Sequence, residues 1–205
     1  MKKFLVLFVI LLFSSIAFAQ DAAQDDPKLP MLSAFMKINS LEADFVQENY
    51  YPGVDSYSYK GKVYIKRGYK AIWDYEEPDE YYLLESGSVT HYSAELKQAV
   101  KMYVDMSRFE DPSVMLLGLM LNVRNVTDTF DVVEEGSLIT LTPKNKMGLE
   151  NIQIVVKNGQ FSEISSADAS GNRINIKFSN IKQNKAINDS VFLRALPQGT
   201  AFIEQ

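Results

Sequence analysis

The chain has 205 residues, with 26 acidic against 21 basic side chains, one histidine and no cysteine. A formal charge of −5 argues against nucleic acid or an anionic membrane as partner, since both are held by a basic excess that displaces counterions. The lack of cysteine excludes disulfides and removes the thiol on which secreted bacterial lipoproteins are acylated, so stability outside the cytoplasm has to come from the core.

Lys2 and Lys3, the apolar run from Phe4 to Phe13 and the triplet Ala17-Phe18-Ala19 read as a cleavable signal peptide over 1–19, with a secreted form starting at Gln20. The run breaks at Ser14 and Ser15, short of the ~20 residues that span a bilayer. Removing the leader takes the formal charge to −7 and leaves about 186 residues, enough for one domain with a sizeable core. Residues 20–30 are polar and acidic, carry Pro27 and Pro30, and read as a flexible lead-in to a single domain over 31–205.

Met31, Leu32, Phe35, Met36 and Ile38 recur at helical spacing behind Pro30, which suits a first turn, so a short amphipathic helix is expected there. After Ser40 the period changes to two, in runs rich in Tyr, Phe, Val and Ile. Strands are expected near 41–51, 57–67, 69–76, 80–85, 88–93, 97–104, 128–134, 138–142, 149–157, 160–168, 172–182 and 191–196. The gaps are mostly too short for crossover helices, which implies an antiparallel up-and-down sheet curled into a barrel or partial barrel. The main interruption is 107–127, where Pro112 to Leu121 is apolar nearly all round and must be buried or rest on an apolar surface.

Catalytic signatures are missing: there is no Gly-x-Ser-x-Gly elbow, phosphate-binding glycine loop or His-Glu-x-x-His, and no enzyme, metal or cofactor is expected. His91 reads as a solvated strand residue. The pairs Glu76-Glu77 and Glu134-Glu135 read as solvated turn charges, because adjacent strand residues face opposite sides. Asp168-Ala169-Ser170-Gly171-Asn172 opens like a calcium loop but has Arg173 and Ser179 where Gly and Glu are needed, so it reads as a hairpin turn.

Two features remain. In Tyr59 to Arg67, alternation puts Val63 and Ile65 inside and Lys60, Lys62 and Lys66 outside, so Arg67 falls on the apolar parity at the strand end. Pattern alone leaves two readings: an exposed strand end, or a guanidinium at a cavity rim that needs hydrogen-bond partners. Met102, Met106, Met115 and Met120 cluster in sequence around the apolar segment, either as core filling or as a surface that repacks around varied apolar ligands.

Taken in order, these segments resemble the LolA family of outer-membrane lipoprotein carrier proteins. The residues that carry the resemblance are Phe45-x-Gln47, Gly61-x-Val63-x-Ile65-x-Arg67 with Trp73 six residues on, Pro78, and Tyr92-Ser93-Ala94-Glu95-Leu96-Lys97-Gln98. It continues through Leu116-Leu117-x-Leu119, Leu141-Thr142-Pro143-Lys144, Asp168-x-x-Gly171-Asn172 and Phe178-x-Asn180 to Phe192 and Pro197-x-Gly199. The resemblance implies an unclosed antiparallel β-barrel covered by short helices, with a hydrophobic cavity between. It further implies a periplasmic chaperone that takes lipoproteins from the inner to the outer membrane by covering their acyl chains. Arg67 matches the family's lid-gating arginine. The expected cavity and lid residues are Phe45, Val63, Ile65, Trp73, Met102, Met115, Leu116 and Leu119. The implied partners are lipoproteins, an inner-membrane LolCDE-type ABC exporter and an outer-membrane LolB-type acceptor, with the carrier itself a monomer. A periplasmic protein of the same fold that carries or senses another lipid is the alternative.

Overall fold

The computed structural model describes residues 26–68, 70–85, 87–103, 126–145 and 148–204. The expected signal peptide, the start of the lead-in and Met106, Met115, Leu116, Leu119 and Met120 lie outside the described residues.

A single helix and a single sheet dominate what is described. Helix α1 (Pro30–Met36) starts on the predicted proline, which lacks the N–H that a first turn leaves unpaired anyway. The strands follow as β1 (Ser40–Tyr50), β2 (Tyr57–Lys66), β3 (Lys70–Tyr75), β4 (Glu80–Glu85), β5 (Ser88–Ser93) and β6 (Gln98–Tyr103). A one-turn helix α2 (Val126–Thr129) leads into β7 (Phe130–Glu135), β8 (Leu138–Pro143), β9 (Leu149–Lys157), β10 (Gln160–Asp168) and β11 (Arg173–Gln183). They form one sheet in the order β12-β6-β5-β4-β3-β2-β1-β11-β10-β9-β8-β7, where β12 is Ala201–Glu204. β1 and β11 pair over nearly their whole length, from Leu41 opposite Gln183 to Tyr50 opposite Arg173, and this closes the two hairpin series into one surface. β7 and β12 stay unpaired to each other, so the barrel is unclosed as expected.

The period-two reading is visible in burial. On β1, Leu41, Ala43, Phe45, Gln47 and Asn49 point to the concave side and are buried, while the residues between them are more exposed. The concave cluster adds Val63 and Ile65 from β2, Trp73 from β3, Ile139 and Leu141 from β8, Ile152 and Ile154 from β9, and Phe178 from β11. Register shifts between Glu42 and Asp44 and between Phe161 and Glu163 add local twist, which helps a twelve-stranded sheet to curl.

On β3, Ala71, Ile72 and Trp73 are buried in succession, because both faces are covered there. Ile72 belongs to a second cluster on the convex side with Tyr81, Leu83, Tyr92 and Ala99, sealed by Phe192. That corrects the expected strand over 191–196: residues Asp189–Phe192 form a 3₁₀ turn lying on the convex face, with Phe192 inserted and Leu193 exposed. Ion pairs of Lys66 with Asp189 and of Arg194 with Asp74 pin this arm to the sheet. The final strand is β12 instead, and it runs parallel to β6, with Ala201 opposite Gln98. The sheet is therefore antiparallel everywhere except at this edge.

Gly61 shows how tightly the concave floor is built. It lies opposite Phe45, and a Cβ there would collide with the carbonyl oxygen of Asp74 and sit 2.8 Å from Cζ of the Phe45 ring. Since backbone is one of the obstacles, rotamer changes cannot relieve the clash. Gly61→Ala is expected to cost about 3 kcal/mol or more, a fall of roughly 6–12 °C in Tm for a chain of this size, read by scanning calorimetry.

Candidate functional site

The concave cluster has a lid in α1. Leu32 and Phe35 turn inward and are buried, with Met31, Met36 and Ile38 packed at the margin. The Phe35 ring meets Phe161 edge-on at 5.7 Å, and contacts run on from Phe161 to Phe178 (5.2 Å), Phe178 to Trp73 (6.1 Å) and Trp73 to Phe45 (5.0 Å). Beside Arg67, the seam between α1 and the sheet keeps a pocket of about 10 Å³, lined by Phe35, Ile38, Leu41, Ile65 and Phe161 among others. That is room for about one water and not for a hydrocarbon chain. An apolar ligand entering here has to displace α1.

Arg67 is half-buried, with its guanidinium turned toward α1. Its Nε donates to the carbonyl of Ile38 at 2.5 Å and its Nη2 to the carbonyl of Phe35 at 3.1 Å. Nη1 lies 4.0 Å from the Met36 sulfur, and the guanidinium carbon sits 5.5 Å from the Phe35 ring centroid. Its backbone N–H donates to Asn39 O at 2.9 Å. Of the two readings that pattern left open, the inward one holds. Burial pushes the guanidinium down to about 10, so it remains cationic at neutral pH. The carbonyls at the end of a helix carry partial negative charge, and a planar fork of donors suits them.

The opposite end of α1 has a counterpart that sequence reasoning missed. The Glu134 carboxylate accepts from Met31 N–H at 3.1 Å and Leu32 N–H at 2.6 Å. Expected as a solvated turn charge, Glu134 instead lies on the inward parity of β7 with Phe130 and Val132, where it reaches the orphan donors of the first turn. The signal was available, because alternation counted from Phe130 puts Glu134 inside. The short helix is thus held by an anion at its start and a cation at its end.

Of the other expected site residues, Phe45, Val63, Ile65 and Trp73 are all brought together on the concave floor and are at most 3% exposed. Met102 is half-buried on β6, opposite Val89 in register.

The strand ends remote from Arg67 carry a second pattern that the sequence reading did not identify. Rings run in contact across the sheet, from Tyr51 to Tyr57 (5.8 Å), Tyr57 to Tyr59 (5.4 Å), Tyr59 to Tyr75 (5.7 Å), Tyr75 to Tyr82 (6.2 Å) and Tyr82 to His91 (4.3 Å). The Tyr75 hydroxyl donates to Gln47 Oε1 at 2.9 Å, and Gln47 Nε2 donates to Asn49 Oδ1 at 3.0 Å. Burial, with Tyr82 and Tyr59 close by, raises the Tyr75 hydroxyl well above the usual phenol range, so it is a neutral donor at any physiological pH. His91, expected to be solvated, is half-buried, stacked flat on Tyr82 and 3.4 Å from Glu80 Oε2. Past the tyrosines lies an open groove of about 550 Å³ lined by Glu48, Asn49, Tyr50, Tyr57, Arg173 and Asn175, among others.

The turn after β10 is a hairpin turn as read: Asp168 accepts from the backbone N–H groups of Ser170 and Asn172. Among the described residues no cluster of acidic or histidine side chains is arranged to hold a metal ion, and no helix is long and apolar enough to cross a membrane.

The sequence comparisons with known proteins agree on one family. The model of the family described as "Outer membrane lipoprotein carrier protein LolA" matches residues 36–195. An outer-membrane lipoprotein carrier protein of Pseudomonas putida is 28% identical, over 100% of both chains. A protein of the same name from Azotobacter vinelandii is 27% identical, over 97% of this chain and 99% of that one. Among solved structures, an uncharacterized conserved protein of Thermus thermophilus covers 85% of this chain and 97% of its own, with a TM-score of 0.55 at 11% identity, a likeness of fold.

The two-ended hold on α1 is directly testable. Glu134→Ala removes the acceptor for two buried-side N–H groups, and hydrogen bonds to charged groups contribute about 1.5–3 kcal/mol. Amide exchange at Met31 and Leu32 is expected to speed up by about tenfold or more, with strand β1 unaffected, when followed by NMR.

Proposed function

The chain belongs to the outer membrane lipoprotein carrier protein LolA family, and from that premise we propose that it binds the acyl chains of lipoproteins between α1 and the concave floor, under the control of Arg67. The observation that carries this reading is the Arg67 fork on the Phe35 and Ile38 carbonyls above an apolar, closed floor.

The physical need is plain. Burying each CH₂ is worth about 0.8 kcal/mol, so one long acyl chain exposes on the order of 10 kcal/mol of apolar cost in water. A lipoprotein cannot cross an aqueous compartment with that surface bare. A carrier has to cover it and still release it, which requires two states of comparable free energy. Here the empty state is closed: α1 fills the site with Leu32 and Phe35, and Arg67 completes its last turn. The filled state has α1 displaced, the carbonyl bonds of Arg67 broken and acyl chains on Phe45, Val63, Ile65 and Trp73. Arg67 thereby favours the empty state and promotes release.

The compartment is the periplasm, reached through cleavage of residues 1–19, and the work is carriage without catalysis. The lipoprotein is received from a LolCDE-type exporter in the inner membrane and passed to a LolB-type acceptor in the outer membrane. Met115, Leu116 and Leu119 are proposed as further lid surface on sequence grounds alone.

Two measurements test the reading. An apolar fluorescent probe is expected to bind stoichiometrically and to be displaced by a diacylated lipopeptide but not by the same peptide without its acyl chains; equal displacement by both would overturn the acyl site. Arg67→Leu removes two charged hydrogen bonds to α1 and adds apolar contact, so both changes favour the filled state. It is expected to stay folded and to release bound lipopeptide to a soluble acceptor about tenfold more slowly or worse. A release rate equal to wild type would remove Arg67 from the mechanism.

A further inference from the structure

The concave floor holds a buried donor that nothing among the described residues satisfies. The indole Nε1–H of Trp73 is fully buried and has no hydrogen-bond partner, in a side chain only 3% exposed. A buried donor left unpaired is costly, and native proteins keep few of them. The ring is enclosed by Phe45 at 5.0 Å and Phe178 at 6.1 Å, and neither offers a conventional acceptor.

Where the donor sits says what it could take. In register, Trp73 pairs with Val63 on one side and Tyr82 on the other. Toward Arg67 the neighbours on β2, β3, β4 and β1 are apolar: Ile65 and Ala71, then Leu84 and Leu41, all buried. Arg67, just past the end of β2, is four residues from Val63, ~13 Å at the rise of a strand. In the other direction the next inward residue on β3 is Tyr75, bonded to Gln47, with Tyr59 at its side and the open groove beyond. Trp73 therefore marks the boundary between hydrocarbon floor and polar mouth.

An acyl chain has the same layout, a hydrocarbon tail ending in a carbonyl. We propose that Trp73 Nε1–H donates a hydrogen bond to the carbonyl of a bound acyl chain, with the tail directed toward Arg67 and α1 and the polar head leaving past Tyr75 and Tyr59. This rests on the carrier reading and adds to it a direction and a preference for acyl over alkyl chains. The penalty borne by the empty site is relieved on loading, and a chain without a carbonyl cannot relieve it. Trp73 is then a specificity residue in direct contact with cargo, while Phe45, Val63 and Ile65 recognise only apolar area.

The test compares a lipopeptide bearing two ester-linked chains with its ether-linked counterpart of equal length, in which the carbonyl is replaced by CH₂. Wild type is expected to bind the ester form about tenfold more tightly, and Trp73→Phe to bind both forms alike, within about twofold. Equal affinities in wild type, or a preference that survives in Trp73→Phe, would overturn the inference while leaving the carrier reading standing. Failure to bind either lipopeptide would overturn the carrier reading and the inference with it. A second measurement needs no variant. Trp73 is the only tryptophan in the chain, so the resonance-Raman band of the indole N–H reports on this one donor. It is expected to shift toward a hydrogen-bonded position with the ester lipopeptide and not with the ether. An unshifted band with the ester form bound would refute the proposal.

Discussion

A seven-residue helix is held at both ends by side chains of the sheet it covers, and the shape of the sheet follows from that constraint. Glu134 comes from β7 and Arg67 from the turn after β2, strands that are six positions apart in the sheet order. At ~4.8 Å per strand these would lie ~29 Å apart on a flat sheet, whereas the stretch from Leu32 in α1 to Ile38 just beyond it spans only ~9 Å at the rise of a helix. Both bonds form only if the sheet curls until its two flanks face each other across the helix. Curling in turn makes the inward residues of β1, β2, β8, β9, β10 and β11 share one interior, which is the apolar floor.

That arrangement explains why a helix too short to be stable alone is well placed. Isolated helices of this length are marginal in water, and α1 lacks a side-chain cap on its own N-terminal residue. Its order comes from Leu32 and Phe35 beneath it and from charges borrowed at each end, all of them tertiary. A cover with so little stability of its own is removable as a unit, and elements that open for ligands come from the weakly held end of a structure. The convex side is built the other way: Phe192 inserts into its own cluster, and the arm carrying it is pinned by Lys66 and Arg194.

The sheet was legible because period two is a strong signal wherever one face is buried, and eleven strands lie where the alternation put them, to within a residue or two. The twelfth failed for a specific reason. Residues 191–196 are as apolar as a strand, but their alternation comes from an arm lying against a surface, with Phe192 in and Leu193 out. The true edge, Ala201–Glu204, is exposed throughout and so shows no alternation to read. At the site, the inward parity of Arg67 was legible but its partners were not, because backbone carbonyls leave no mark in a sequence. Glu134 was misread by treating it as part of an acidic turn and not as the last inward position of β7. The tyrosine ladder joins residues from β2, β3, β4 and β5, a grouping that depends on register, which a list of strand segments does not contain.

Carriage also limits how well the empty state can be satisfied. Fully burying a side chain such as Leu32 or Phe35 contributes about 1.5–3 kcal/mol, so the two together with the charged hydrogen bonds at both ends of α1 offset much of the gain, on the order of 10 kcal/mol, from covering a long acyl chain. Had the floor been deep enough to gain the whole of that difference, release would be too slow for a shuttle. In the proposed cycle, α1 re-enters when cargo leaves and recovers part of the buried area, and its bonds to Arg67 add to the stability of the empty state. An empty cavity, by contrast, would leave the full loss of contact to be met on release. Filling the site with the chain's own side chains therefore narrows the gap between loaded and unloaded forms. The same reasoning accounts for a floor made of large, interlocking side chains such as Phe45, Trp73, Phe161 and Phe178, with the seam between α1 and Phe161 closed to within about one water molecule.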